Sequence, residues 1–420
     1  MCSRSWSPFR LLFLSVTGLA VSLHAAPTNA LRTTVATNVP RTVVPTNAAP
    51  AAAVTNAPFD LVGFDRDRIL KAAVNALVTE PVTITKYHAP FTEGGTNDFY
   101  SQGESWYPNP AAPNGLPFHQ QPGTVNPDIF TEHRKCLTQL RDNVAALAAA
   151  YKLTGNSRYA TVAAEWLRVF FVDPATRMKP NLNYAEAVPG VYRGRSIGTS
   201  DTVPMAEVAK AIKAVQDSPG FPENIRDGVK QWSSDYLEWL MTSTNGDDVA
   251  NMGNNHSVVY WLQVAAFAEL VGDQDQLTTC RTRFKSFLLP QVGADGAFTR
   301  VPKARTYVTV LCVSEELADL CQIISTSDDD LWHFTTPAGR TLRANVDYIA
   351  PYLEDKTRWS KTGTDIGDSE WPVRQGSLLF ASLALDEPKY LSIWKRLPAD
   401  PTDYRVRWDM VVTQPILWVK

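Results

Sequence analysis

Cysteine is scarce, with five in 420 residues. Cys2 precedes the first apolar run, and Cys136, Cys280, Cys312 and Cys321 are spaced too widely for a disulfide scaffold or a metal motif. An excess of charge is missing too. Forty basic against 43 acidic residues leave a formal net charge of −3, which gives no reason to expect nucleic acid or an anionic membrane as a partner. Any cationic groove must therefore be local. There is no glycine-rich phosphate loop, no His-Glu-x-x-His and no Gly-x-Ser-x-Gly elbow, which removes the usual signatures of nucleotide, zinc-peptidase and serine-hydrolase chemistry. His88, His119, His133 and His333 are single and scattered, so neither a metal nor another cofactor is expected. Strand signals are confined to residues 83–85 and the tail 411–419, too little for a sheet-based domain.

The composition, 44% hydrophobic and 20% charged, suits a large folded core. Arg4 and Arg10 precede an apolar run at residues 11–23, followed by Ala25 and Ala26, the order of a secretory signal peptide. The run is shorter than the ~20 residues a spanning helix needs. Residues 1–26 are thus read as a signal peptide. Residues 27–57, rich in Ala, Thr, Pro and Asn with Thr-Asn-Ala recurring at Thr28, Thr46 and Thr55, are read as a disordered linker. Residues 58–420 form the remaining domain. The expectation is a secreted or periplasmic monomer with no membrane contact after signal cleavage.

Leu137, Leu140, Val144, Leu147 and Tyr151 share one helical face, Gly155 ends that helix, and a second pattern runs from Tyr159 to Phe170. The same pairing returns at residues 256–270 with 277–289, and at 376–385 with 390–397. Further helical patterns cover residues 203–215, 222–241, 308–324 and 340–350. The fold class expected is all-α: an (α/α) toroid, an incomplete barrel of antiparallel helix pairs. An open solenoid is the alternative, but no fixed repeat length recurs. Between the pairs lie long aromatic-rich loops at 87–126, 179–202 and 361–374. Loops of this length are usually functional or disordered, and Tyr100, Trp106, Tyr184 and Tyr192 suit a sugar-binding surface better than disorder.

Three polar clusters can carry chemistry. The first is Asn251-Met252-Gly253-Asn254-Asn255-His256, at the mouth of an apolar helix and richer than a cap requires. The second is Arg300, Lys303, Arg305 and Tyr307 before the next apolar helix, and the third Arg193-Gly194-Arg195 with Gly198 and Asp201. Asp98, Glu104, Glu186, Asp201, Asp365 and Asp368 keep a carboxylate-pair glycosidase open. Asn, His, Arg and Tyr together fit elimination from a 4-linked uronate. That reaction needs the carboxylate neutralised, a base for the C5 proton and an acid for the departing O4.

Residues 254–256 (Asn-Asn-His), 183–190, 194–198, 99–108 and 335–340 resemble phrases of the alginate lyase family of (α/α)-toroid polysaccharide lyases, over about residues 83–385. The chain is similar to polysaccharide lyase families 5 and 38, the phrase at 99–108 leaning toward the latter. The resemblance implies alginate or a related polyuronate as an anionic polysaccharide substrate. It carries Asn255, His256 and Tyr307 over as catalytic residues. Arg300 or Arg305 fills the arginine position, since the spacing before Tyr307 departs from the family pattern. Arg195, Arg305, Tyr100, Trp106, Tyr184, Tyr192 and Asn254 are the expected substrate-binding residues. A non-catalytic polyuronate-binding module is the rival.

Overall fold

The computed structural model describes residues 59–300, 307–359 and 370–419. Thirteen helices follow among the described residues: α1 (Leu61–Ala76), α2 (Glu132–Thr154), α3 (Ser157–Leu167), α4 (Met205–Val215), α5 (Glu223–Thr242), α6 (Thr244–Asn251), α7 (Asn255–Val271), α8 (Gln274–Arg283), α9 (Tyr307–Ile324), α10 (Leu342–Glu354), α11 (Gly376–Leu385), α12 (Pro388–Arg396) and α13 (Tyr404–Asp409). The all-α expectation stands.

The turns between paired helices are built by local chemistry. Gly155 takes a left-handed φ of 69° at the end of α2, and the next residue, Asn156, caps α3 by accepting from the Arg158 amide. The device recurs with Gly272 (φ 84°) and Asp273 between α7 and α8. Asp386 (φ 50°) and Pro388 perform it between α11 and α12.

Packing sorts the helices into two rows. In the inner row α2 packs on α4, α4 on α7, α7 on α9, and α9 on α11. Helices α1 and α3 lie against α2, α5 and α8 against α7, and α12 against α11. Composition explains the sorting. Helix α7 is buried on nearly every side, from Ser257 to Ala268, and α9 carries an almost unbroken run of buried residues, so neither has a face suited to water. The outer α12 buries only Tyr390, Ile393 and Trp394.

The C-terminal segment is bound to the inner row by buried charge. Glu207 on α4 accepts from the Thr413 amide and hydroxyl, the Gln414 amide and the Trp418 indole. Arg141 on α2 donates to the carbonyls of Met410 (2.5 Å) and Arg407 (2.6 Å). These bonds bring α13 across the amino-terminal side of α7 and α9.

Local structure departs from expectation in several places. Residues 84–86 form one 3₁₀ turn, and the tail contains another at Pro415–Leu417, so neither strand candidate is a strand. The strands lie in the aromatic loops: β1 (Tyr100–Gln102) pairs in parallel with β4 (Tyr184–Ala187), and β2 (Trp106–Tyr107) pairs antiparallel with β3 (His119–Gln120). The π turns Arg168–Val172 and Phe284–Leu288 end the second helix of two pairs. Helices α1, α6 and α13 were not anticipated. Helix α6 contains Gly246, whose Cβ would stand 1.8 Å from the Leu240 carbonyl oxygen. A close approach, not helix propensity, thus decides its sequence. No described helix is long and apolar enough to cross a membrane.

Candidate active site

Asn254 caps α7 by accepting from the His256 amide at 3.0 Å, which fixes Asn255 and His256 in the first turn. Gly253 before it sits at φ 65°, and a Cβ there would lie 3.0 Å from Arg300 Nη1. The glycine therefore serves both the turn and the approach of the Arg300 guanidinium. A cavity of about 380 Å³ opens over this turn, with Asn255, His256 and Val259 of α7 on one wall and Val308, Thr309, Cys312, Val313 and Glu316 of α9 on another. Ser200, Arg405, Trp408, Asp409 and Glu104 complete its polar lining. The amino-terminal turns of α7 and α9 both border it, which favours negative charge there.

His256 Nδ1 lies 2.7 Å from Ser200 Oγ, leaving Nε2 for the cavity. Burial, and then the positive charge of Arg195, push its pKa down to about 4, so the ring is neutral at pH 7. A neutral imidazole with one nitrogen held is a proton acceptor.

A chain of alternating charges stands behind this wall. Arg134, 2% exposed, binds Asp201 (2.8 Å), Glu104 (3.0 Å) and Glu186 (3.2 Å). Arg195 binds the other oxygen of Glu186 at 2.5 Å, and Arg405 binds the other oxygen of Glu104. Ser101 donates to Asp201 and accepts from the Glu186 amide. Burial raises the pKa of both Glu186 and Asp201, each further raised by neighbouring carboxylates and lowered by Arg134. Glu186 holds a φ of 53°, a conformation that a non-glycine residue keeps only where its surroundings enforce it. The result is two arginines, Arg195 and Arg405, oriented by one buried network.

Of the residues anticipated from sequence, Asn255, His256 and the carboxylate Glu104 line this cavity. Asn254 is the cap behind them, and Arg300 lies against Gly253. Arg305 lies outside the described residues, as do Lys303, Asp365 and Asp368. Tyr307, 2% exposed, donates its hydroxyl to the Tyr352 carbonyl at 2.8 Å and packs edge-on against Trp359, and it is not among the residues that line this cavity. Arg195 and Trp106 pack over Gly103, with Arg195 committed to Glu186. Tyr100 is buried against Phe130, Tyr184 lies over Gly94, and Tyr192 is 53% exposed. Tyr100 and Tyr184 share one small cluster with Phe130 and Ala187, so the β1–β4 pairing holds these loops together, while Tyr192 stays at the surface.

Sequence reasoning missed Ser200, Arg405 and Trp408. Arg405 and Trp408 precede the strand candidate at 411–419, in a stretch to which the sequence reading assigned no element, and only the anchoring by Glu207 and Arg141 brings them to α7. Among the described residues no group of three or more His, Cys, Asp or Glu side chains is placed to hold a metal ion.

The sequence profile of the family described as alginate lyase matches residues 83–359, more than half of the chain. The fold is similar to the crystal structure of an alginate lyase from Bacteroides ovatus, with TM-score 0.70, 25% identity, and coverage of 83% of this chain and 93% of that one. It is also similar to alginate lyase A1-III from Sphingomonas species A1, with TM-score 0.52, 15% identity, and coverage of 86% and 94%. No curated protein sequence matches the chain.

Proposed function

The chain belongs to the alginate lyase family, and from that premise we propose that it cleaves alginate, a 4-linked polyuronate, by β-elimination. The observation that carries this reading is the neutral His256 beside Asn255 on the wall of a cavity that also presents Arg405. In the proposed reaction Asn255 and Arg405, with Arg300 close behind the same turn, neutralise the uronate carboxylate and so acidify the C5 proton. His256 Nε2 takes that proton, the C4–O4 bond breaks, a C4=C5 double bond forms, and O4 departs with a proton from an acid. Tyr307 is the proposed acid. It acts only by exchanging its bond to the Tyr352 carbonyl for one to the leaving oxygen.

This division of labour has a stereochemical consequence. Guluronate presents the C5 proton and O4 on opposite faces, as two separate groups require, whereas in mannuronate they are on the same face. His256→Ala should therefore be most damaging on guluronate blocks. The test is ultraviolet absorbance of the unsaturated product across mannuronate-rich alginate, guluronate-rich alginate, glucuronan and hyaluronan. The buried, engaged hydroxyl of Tyr307 favours one second reading, a polyuronate-binding protein that no longer eliminates. Retention on alginate without any absorbance would establish it. The apolar N-terminal run further supports export, expected to leave a mature chain beginning near Pro27, as intact mass of the exported protein would reveal.

A further inference from the structure

A second and larger cavity, of about 670 Å³, lies on the other side of α13. The helix separates the two by its period: Arg405, Trp408 and Asp409 face the first, Tyr404 and Arg407 the second. Its long walls are α1 and α2. Arg68, Lys71 and Asn75 follow one face of α1, with Thr79 just beyond its end, and Lys135, Gln139, Asp142 and Ala146 follow one face of α2, at three- and four-residue spacing. Small residues, Ala72, Ala76 and Ala146, lie between the polar rows and leave the volume open.

The lining carries four cations, Arg68, Lys71, Lys135 and Arg407, against two carboxylates. Both carboxylates are taken, Asp400 by Arg68 at 3.0 Å and Asp142 by Arg407 and Arg141. Lys71 has no acidic partner among the described residues, and Lys135 has Glu132 at 3.7 Å as its acidic partner there and lies over the Tyr404 ring at 5.7 Å. The side-chain amides of Asn75 and Gln139 make no hydrogen bond among the described residues, so they are available to a hydroxyl-bearing ligand. The volume falls in the range of small-molecule sites. Residues 27–57 of this chain are the wrong occupant, because they hold Arg32 and Arg41 and no carboxylate.

We propose that this cavity is a second binding site for a carboxylate-bearing saccharide, with Lys71 and Lys135 meeting its carboxylates and Asn75 and Gln139 its hydroxyls. The inference rests on the polyuronate reading above and extends it to a site separate from the reacting one. Two sources share this chemistry: a distant stretch of the same polymer, or a short released product.

The test uses the full chain with Asn255→Ala and His256→Ala to stop turnover, titrated with long polymannuronate, with a uronate trisaccharide and with uncharged dextran. Adding Lys71→Glu and Lys135→Glu, both at exposed positions, should weaken acidic-saccharide binding about tenfold, as two rim charges reversed would. The same pair in the otherwise unaltered chain should leave turnover of a uronate tetrasaccharide unchanged. Loss confined to the long polymer identifies the polymer as ligand, and loss confined to the trisaccharide identifies the product. Unchanged binding of both, or an equal loss on dextran, overturns the proposal. Failure of the unaltered chain to yield unsaturated product is a separate readout that sinks the lyase reading, while the titration still reports on the cavity.

Discussion

At His256, burial and the charge of Arg195 both disfavour the imidazolium, and the first outweighs the second. Removing the cation must therefore raise the pKa. With Arg195→Ala the acid limb of the kcat/KM profile should move to higher pH, toward the ordinary histidine range near ~6.5. A limb that stays put means another group is the base. Tyr307→Phe separates packing from chemistry, because the ring keeps its contact with Trp359 while the bond to the Tyr352 carbonyl is lost. Unfolding experiments should show a cost of about 1 kcal/mol. If the hydroxyl delivers the proton to O4, turnover should fall by at least roughly 100-fold. Near-normal turnover would remove Tyr307 from the mechanism.

Helix α13 is too short to hold itself, and its position depends on what the neighbouring tail is tied to. Glu207, fully buried, satisfies two backbone amides, one hydroxyl and one indole of residues 413–418. Glu207→Ala strands those donors in a water-poor interior, so denaturant unfolding should report a loss of about 3 kcal/mol or more. Activity should fall further than stability alone explains, since the anchor of Arg405 and Trp408 loosens with it. Retained kcat/KM in a folded Glu207→Ala protein would show that α13 does not need the tail. The helix pairs were readable because an apolar stripe ending at Gly155 or Gly272 is a local signal. Helix α13 was not, because its stability comes from residues some 200 positions away.

For the whole molecule, a net charge of −3 gives no general attraction for a polyanion. Binding must then rest on few cations, and Arg405 is the one arginine or lysine in the described lining of the candidate site. Arg405→Ala is expected to raise KM on alginate about tenfold and to flatten its dependence on salt, because one fewer charge contact remains to be screened. A KM and salt response equal to those of the unaltered protein would move the carboxylate contact to Arg300 or to the residues outside the described set.

The sequence alone was sufficient for the all-α class, most helix boundaries and the Asn255-His256 turn. Each rests on interactions within a few residues: periodic apolar stripes, left-handed glycines and an Asn cap. Tertiary structure decided which charged groups meet. Arg134 gathers Glu104, Glu186 and Asp201 from two loops, and Arg405 comes to α7 from the far end of the chain. It likewise turned Tyr307 toward Tyr352, and Tyr100 and Tyr184 onto a shared cluster with Phe130. Burial makes an ion pair or an unmet hydroxyl costly enough to select one partner, and that partner is chosen by distance in space, which spacing along the chain does not encode.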